Sequence, residues 1–271
     1  NKDFKRVFEH FYNIYACSKY SAKICQRYNK ISEIRIIPNC VDDAFVSYSD
    51  HKEIRFGVIG RVSELKGIDV LVSAFKKLVL TEPQTRLYIA GDTQSEFAQN
   101  LIQANKNIKQ ISWLGVIKGT EKQKFFDSIN VLCVPSVYDS APISLLEGLM
   151  YGKPIITTTN VGNNNLVSEQ CGFIVSVGDT DGLYKSMKWF CDNKHRVPQM
   201  MQDARAQYLS GGNKENQELI IEKMLADNTN NLPIINTKIR YEIIEKIAPT
   251  KNTREILFFG HRFIRYKKSK K

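Results

Sequence analysis

An α/β fold, with a mostly parallel Rossmann-like sheet and helices on both faces, is what this sequence predicts, and three observations carry the prediction. Short apolar runs closing on glycine recur at IRFGVIG (54–60), TRLYIAG (85–91) and ISWLG (111–115), each followed by a segment with helical periodicity. Strand and helix alternate, an order that buries a parallel sheet between helices through right-handed crossovers. The stretch VLCVPSVYDSAPISLLEGLMYGKPIITTTNVG (131–162) reads as a buried strand, a polar loop, a short helix from about Ile143 to Tyr151, a Gly152-Lys153-Pro154 turn and a second buried strand.

Composition bounds the rest. The 271 residues are enough for one large or two small domains, and 42% apolar content is ordinary for a globular core. A formal net charge of +11 and a pI near 9.3 point to anionic partners, and charge alone leaves a nucleotide diphosphate, an acidic membrane surface and nucleic acid all open. The six cysteines form no C-x-x-C pair and Cys133 lies inside an apolar strand, which favours reduced thiols in a cytoplasmic protein. The four histidines show no metal-binding spacing, so no metal site is expected. No apolar run approaches the roughly 18 residues of a spanning helix, and no signal-peptide core is present.

Taken in order, the chain opens with an aromatic amphipathic segment (Phe4, Val7, Phe8, Phe11), a short strand in NIYACS and a helix from Lys19 to Tyr28. IRIIPNCVDD (34–43) reads as a strand ending at Pro38 and a turn. After the strand at 54–60, a loop carries Arg61, Lys66 and Gly67, and a helix follows with Ile68, Leu71, Val72, Phe75 and Leu78 on one stripe. A helix over about 95–104 follows Gly91, and Thr120 is the expected N-cap of a helix bearing Phe125, Phe126 and Ile129. Trp113 reads as core rather than as a stacking platform. Helices with Leu183, Met187 and Phe190 on one stripe run to about Ala226. Residues 227–237 are Asn-rich and read as a linker. Beyond them come a stripe of Ile239, Ile243, Ile244 and Ile247 and a basic stretch from Arg254, read as a helical extension suited to an anionic membrane surface or a partner.

In the central unit, Asp139 and Glu147 stand eight positions apart, Asp139 in the loop and Glu147 one turn inside the helix. Ser144 and Glu147 also fit a capping box, in which both would serve only the helix end, and Asp139 also fits a solvated loop acid. The pattern P-S-x-x-[acid]-x7-E, followed by G-K-P and V-G, resembles the donor-binding signature of family 4 (group 1) retaining glycosyltransferases of GT-B fold. Gly60-Arg61 with Lys66-Gly67 resembles that family's G-R-x(4)-K-G loop, and Asn39 to Asp42 its P-N-G-V-D segment, with Cys40 in place of glycine. The family usually has Glu at both ends of the x7 spacing; here the first is Asp139.

The resemblance implies a set of roles. Arg61 and Lys66, beside Gly60, would stabilise the departing diphosphate without a metal, Asp139 would orient the donor sugar, and Glu147 would hold the ribose. Amides near Ile143 and Ser144 would face the phosphates or sugar, and backbone near Val116 and Ile117 would meet the base. It also implies a domain layout: 1–33 as the remnant of an N-terminal acceptor domain, 34–226 as the nucleotide-sugar-binding domain, and 227–271 as linker and basic helical tail. On this expectation the chain is the donor half of a hexosyltransferase-type enzyme acting on a saccharide or lipid-linked saccharide, in polysaccharide biosynthesis at the cytoplasmic membrane face. It would need an acceptor domain, so that alone it binds nucleotide and transfers sugar poorly. A non-catalytic nucleotide-binding subunit docked on a partner or a membrane is the alternative. A GT-B epimerase would need a histidine at the cleft, and nucleic-acid binding lacks a groove-reading motif.

Overall fold

The computed structural model describes residues 14–27, 34–44, 53–227 and 257–259, and two compact units divide the chain, Asn1–Asn39 with Glu215–Lys271, and Cys40–Lys214. The sequence-based boundaries at 33/34 and 226/227 thus lie a few residues before and about a dozen after these divisions. The segment holding Phe4 to Phe11, the linker from 228, the isoleucine stripe at 239–247 and most of the basic tail lie outside the described residues.

In the first unit, strand β1 (Ile14–Ala16) leads into helix α1 (Lys19–Gln26), whose N-cap Ser18 accepts a hydrogen bond from the Ser21 N–H. Strand β2 (Ile34–Ile36) pairs parallel with β1.

The second unit holds strands β3 (Arg55–Ile59), β4 (Arg86–Ala90), β5 (Ile111–Gly115), β6 (Val131–Val134), β7 (Ile155–Thr158) and β8 (Gly172–Val175). Between and after them run helices α2 (Ile68–Leu78), α3 (Glu96–Asn105), α4 (Thr120–Ser128), α5 (Ile143–Met150), α6 (Thr180–Asp192) and α7 (Val197–Gly211). All six strands are parallel, in the order β5-β4-β3-β6-β7-β8. The strand order therefore reverses between β3 and β6. Ligands in such sheets bind at that reversal, beyond the carboxyl ends of the strands.

Helices cover both faces because the central strands are apolar on both. Along β6, Val131 and Cys133 join a cluster with Leu71, Phe75, Leu183 and Phe190, while Leu132 and Val134 join another with Phe126, Leu145, Leu149 and Tyr208. That alternation is the period of two a strand imposes, and each such fully buried side chain contributes roughly 1.5–3 kcal/mol. Trp113 packs against the first cluster, as core. α7 ties the far end of α5 to the start of the unit: Arg205 donates to the Met150 carbonyl at 2.6 Å, and the Tyr208 hydroxyl donates to the Val41 carbonyl at 3.0 Å.

Two expectations are corrected. Gly119, not Thr120, is the N-cap of α4; its positive φ of 52° turns the chain into the helix in a conformation a side chain disfavours. The tail expected as a helix contributes strand β9 (Leu257–Phe259), after helix α8 (Lys214–Asp227), and β9 pairs parallel with β1. A Leu-Phe-Phe run suits a strand beside β1 better than the helix its basic flanks implied.

Lys153, in the turn before β7, is an unusual core residue. It is only 1% exposed, its Nζ has no hydrogen-bond partner, and burial pushes its pKa down to about 8, partly offset by Asp127. Because this folded value lies below the ordinary lysine value of about 10.4, the unfolded chain binds the extra proton between the two, and this group's contribution to stability rises with pH across that window. The thiols of Cys133 and Cys191, pushed up by burial, act with the opposite sign there. A difference measurement therefore isolates the lysine. Lys153→Met is expected to be more stable than wild type by about 2–3 kcal/mol at pH 7, shrinking towards zero by about pH 10.5 in urea unfolding. A difference that does not vary with pH would contradict the assignment.

Candidate functional site

The loops after β3 and β6 leave the two strands that flank the reversal of strand order, and they dock on each other. After Gly60 and Arg61, a single 3-10 turn (Glu64–Lys66) places Lys66 immediately before Gly67, which has φ 63° and also begins α2. A Cβ on Gly67 would lie 2.1 Å from the Pro135 carbonyl oxygen, so the two loops touch through the missing side chain. Next to it the Val137 N–H donates to the Leu65 carbonyl at 3.0 Å. At this junction the Lys66 ammonium pairs with Oδ2 of Asp139, whose side chain is 13% exposed.

Asp139 is held by its backbone as well. Its N–H donates to the Asn160 carbonyl at 3.2 Å and its carbonyl accepts from the Gly162 N–H at 2.8 Å. The segment after β7 braces the same loop: the Thr158 hydroxyl donates to the Ser136 carbonyl at 2.6 Å, and the Asn160 and Asn163 amides donate to the Val137 and Pro142 carbonyls, each at 3.2 Å. No function was legible in the asparagine run at 163–165. In the structure the Asn163 side-chain amide serves the Pro142 carbonyl, and that of Asn164 the Thr158 and Thr159 carbonyls at the end of β7.

Glu147 is not part of a capping box. α5 begins two residues earlier than that pattern requires, with Pro142 as N-cap and no side chain capping the start, which leaves the first amides, including those of Ile143 and Ser144, open towards the loop. The Glu147 carboxylate instead accepts from the Lys122 ammonium of α4 at 2.7 Å. Lys122 went unnoticed in the sequence, although a signal was there. It stands three and four positions before the buried Phe125 and Phe126, on the inward stripe of an amphipathic helix, where an ammonium needs a partner.

Arg61 is exposed, and among the described residues no hydrogen bond or ion pair engages its side chain. Val116 and Ile117 follow β5 at the same carboxyl edge, Val116 exposed and Ile117 packed against the second core cluster. Lys66 and Asp139 are thus in contact, Glu147 is bound from another direction by Lys122, and Gly60, Arg61, Val116 and Ile117 share the sheet edge. Among the described residues, no group of three or more His, Cys, Asp or Glu could hold a metal ion. Within the same residues no helix is long and apolar enough to cross a membrane.

A family model described as "Glycosyl transferases group 1" matches residues 42–207, more than half of the chain. The chain belongs to the group 1 glycosyl transferases. Similar curated proteins include a glycogen synthase of Mycobacterium tuberculosis, 24% identical over 66% of this chain and 45% of that protein. The D-rhamnosyltransferase WbpZ of Pseudomonas aeruginosa is 27% identical over 56% of this chain and 40% of its own length. An uncharacterised glycosyltransferase of Methanocaldococcus jannaschii is 28% identical over 45% and 30%. The chain therefore spans less than half the length of these relatives. Among solved structures, a sucrose-phosphate synthase from Thermosynechococcus elongatus superposes with a TM-score of 0.73 at 19% identity, over 84% of this chain and 61% of that one. HepE of Anabaena, in complex with UDP and glucose, gives a TM-score of 0.71 at 15% identity, over 83% and 67%. The shared fold is the parallel Rossmann-like architecture of GT-B transferases, as the sequence predicts.

The contact of Gly67 with Pro135 makes a direct prediction. Gly67→Ala combines a left-handed backbone with a steric overlap against a carbonyl, and is expected to cost about 2 kcal/mol or more in denaturant unfolding. An unchanged unfolding midpoint would show that the two loops are not locked together at this point.

Proposed function

We propose that the cleft at the carboxyl edge between β3 and β6 binds the nucleoside diphosphate of a sugar nucleotide, and that this chain carries the donor-binding part of a retaining glycosyltransferase. The single observation that carries the reading is the meeting of Lys66 with Asp139 across the reversal of strand order, with the unengaged guanidinium of Arg61 on the same loop. A pyrophosphate placed there meets two cations and the open amides of α5, a combination suited to a dianion.

The chemistry follows from the donor. The bond between the anomeric carbon and the phosphate oxygen breaks with its electron pair going to the phosphate. A bond from an acceptor hydroxyl oxygen to the anomeric carbon forms on the same face, and the hydroxyl proton passes to the departing phosphate. Negative charge grows on the diphosphate as the bond breaks, so fixed cations there act chiefly on the transition state. Lys66 has three donors and can hold Asp139 and a phosphate oxygen together. Asp139 then faces the sugar hydroxyls, and Glu147 the ribose.

Uridine nucleotides are the leading donors, supported by HepE, solved with UDP and glucose, and by an Escherichia coli relative named for UDP-Gal, 26% identical over 60% of this chain. The acceptor is a saccharide or a lipid-linked saccharide, bound with the help of an N-terminal acceptor domain. A peripheral position on an anionic cytoplasmic membrane face accords with the basic composition.

Calorimetric titration with UDP, GDP and ADP tests this reading. One of the three is expected to bind saturably, and Arg61→Ala or Lys66→Ala to weaken it about tenfold or more, equivalent to about 1.4 kcal/mol. Failure of all three to bind would contradict it, as would binding indifferent to both substitutions.

A further inference from the structure

The Lys122–Glu147 pair is built more rigidly than a surface ion pair requires. Lys122 and Phe126 lie one turn apart on α4, and Glu147 and Tyr151 one turn apart along α5 and its cap. Each residue of the first pair meets its counterpart in the second. Lys122 Nζ donates to Glu147 Oε1 at 2.7 Å, and the Phe126 ring stacks on the Tyr151 ring with centroids 4.5 Å apart and planes 13° from parallel. These two rungs clamp the helices in one register. They also fix which carboxylate oxygen is occupied: Oε1 takes the ammonium, and among the described residues Oε2 has no hydrogen-bond partner.

A partly exposed ion pair of this kind stabilises a fold by only about 0–1 kcal/mol. The side chains here are 34% and 17% exposed, so the pair has little to offer as a structural strut. What it does offer is a carboxylate with one oxygen tied to an ammonium from a neighbouring helix and the other still available. A carboxylate so prepared accepts a hydroxyl without first losing its own freedom, and an analogue lacking that hydroxyl leaves a charged acceptor unmet.

We propose that Lys122 is a positioning residue that sets the selectivity of this site for ribonucleotides over deoxyribonucleotides, by presenting Glu147 Oε2 to the ribose hydroxyls. The inference rests on the donor-site reading above and deepens it, since it assigns the sugar discrimination to a residue of a different helix.

The test uses the full chain and compares UDP, GDP and ADP with their 2′-deoxy and 3′-deoxy counterparts, in wild type and in Lys122→Met, Lys122→Arg, Glu147→Gln and Arg61→Ala. Wild type is expected to prefer the ribonucleotide by about tenfold or more over at least one deoxy counterpart. Lys122→Met should cut that ratio at least about threefold, towards the value of Glu147→Gln, and Lys122→Arg should restore most of it. Arg61→Ala should weaken all the nucleotides together and leave the ratio alone. A thermal scan of each variant separates loss of stability from loss of selectivity, because a purely structural pair would lower the melting temperature without moving the ratio. Nucleotide binding with an unchanged ratio in Lys122→Met overturns this proposal while the donor site stands. Absence of binding by every nucleotide overturns both.

Discussion

The contact on which the rest of the structure depends is the docking of the loop after β3 onto the loop after β6. In a parallel sheet these loops leave neighbouring strands in the same direction, yet the helices that follow β3 and β6 pack on opposite faces, so a crevice opens between them by default. Here part of that crevice is closed by backbone. The Leu65 carbonyl takes the Val137 N–H, and Gly67 rests on Pro135 with no room for a Cβ. Only with the two main chains this close can a lysine from one loop meet an aspartate from the other.

Bracing from behind makes that arrangement durable. Threonines of β7 donate to carbonyls at and beyond the end of β6, Thr157 to Val134 at 3.1 Å and Thr158 to Ser136 at 2.6 Å. The asparagines that follow do the same for Val137 and Pro142. The loop carrying Asp139 is therefore irregular in shape and well supplied with hydrogen bonds. Those bonds fix the course of the main chain that carries the Asp139 side chain. At the other end of α5, the buried and unpartnered Lys153 ammonium works against folding, and the large apolar clusters around it absorb that cost.

Features with a period or a glycine were legible in the sequence. The strands ending at Gly60, Gly91 and Gly115, the stripe Leu183-Met187-Phe190, and the strand-loop-helix-strand unit at 131–162 all stand where the apolar pattern put them. The family resemblance singled out Lys66 and Asp139, and they meet in space. What could not be read depended on long-range pairing. Lys122 looked like one of many helix cations until the fold set α4 against α5, and the asparagine run had no pattern at all until the carbonyls it serves were in view. Ser144 and Glu147 show the converse, a local capping rule that fits the residues although the helix starts two positions too early to use it. The basic tail misled for a similar reason, since charge outweighed the β-forming Leu257 to Phe259 at its centre.

The most direct measurement is amide hydrogen exchange with and without a saturating nucleoside diphosphate. A donor site at this junction predicts slower exchange across residues 60–67 and at the start of α5, around Ile143 and Ser144, with α6 unaffected. Nucleotide binding that leaves both of those segments unchanged and protects some other surface would contradict it.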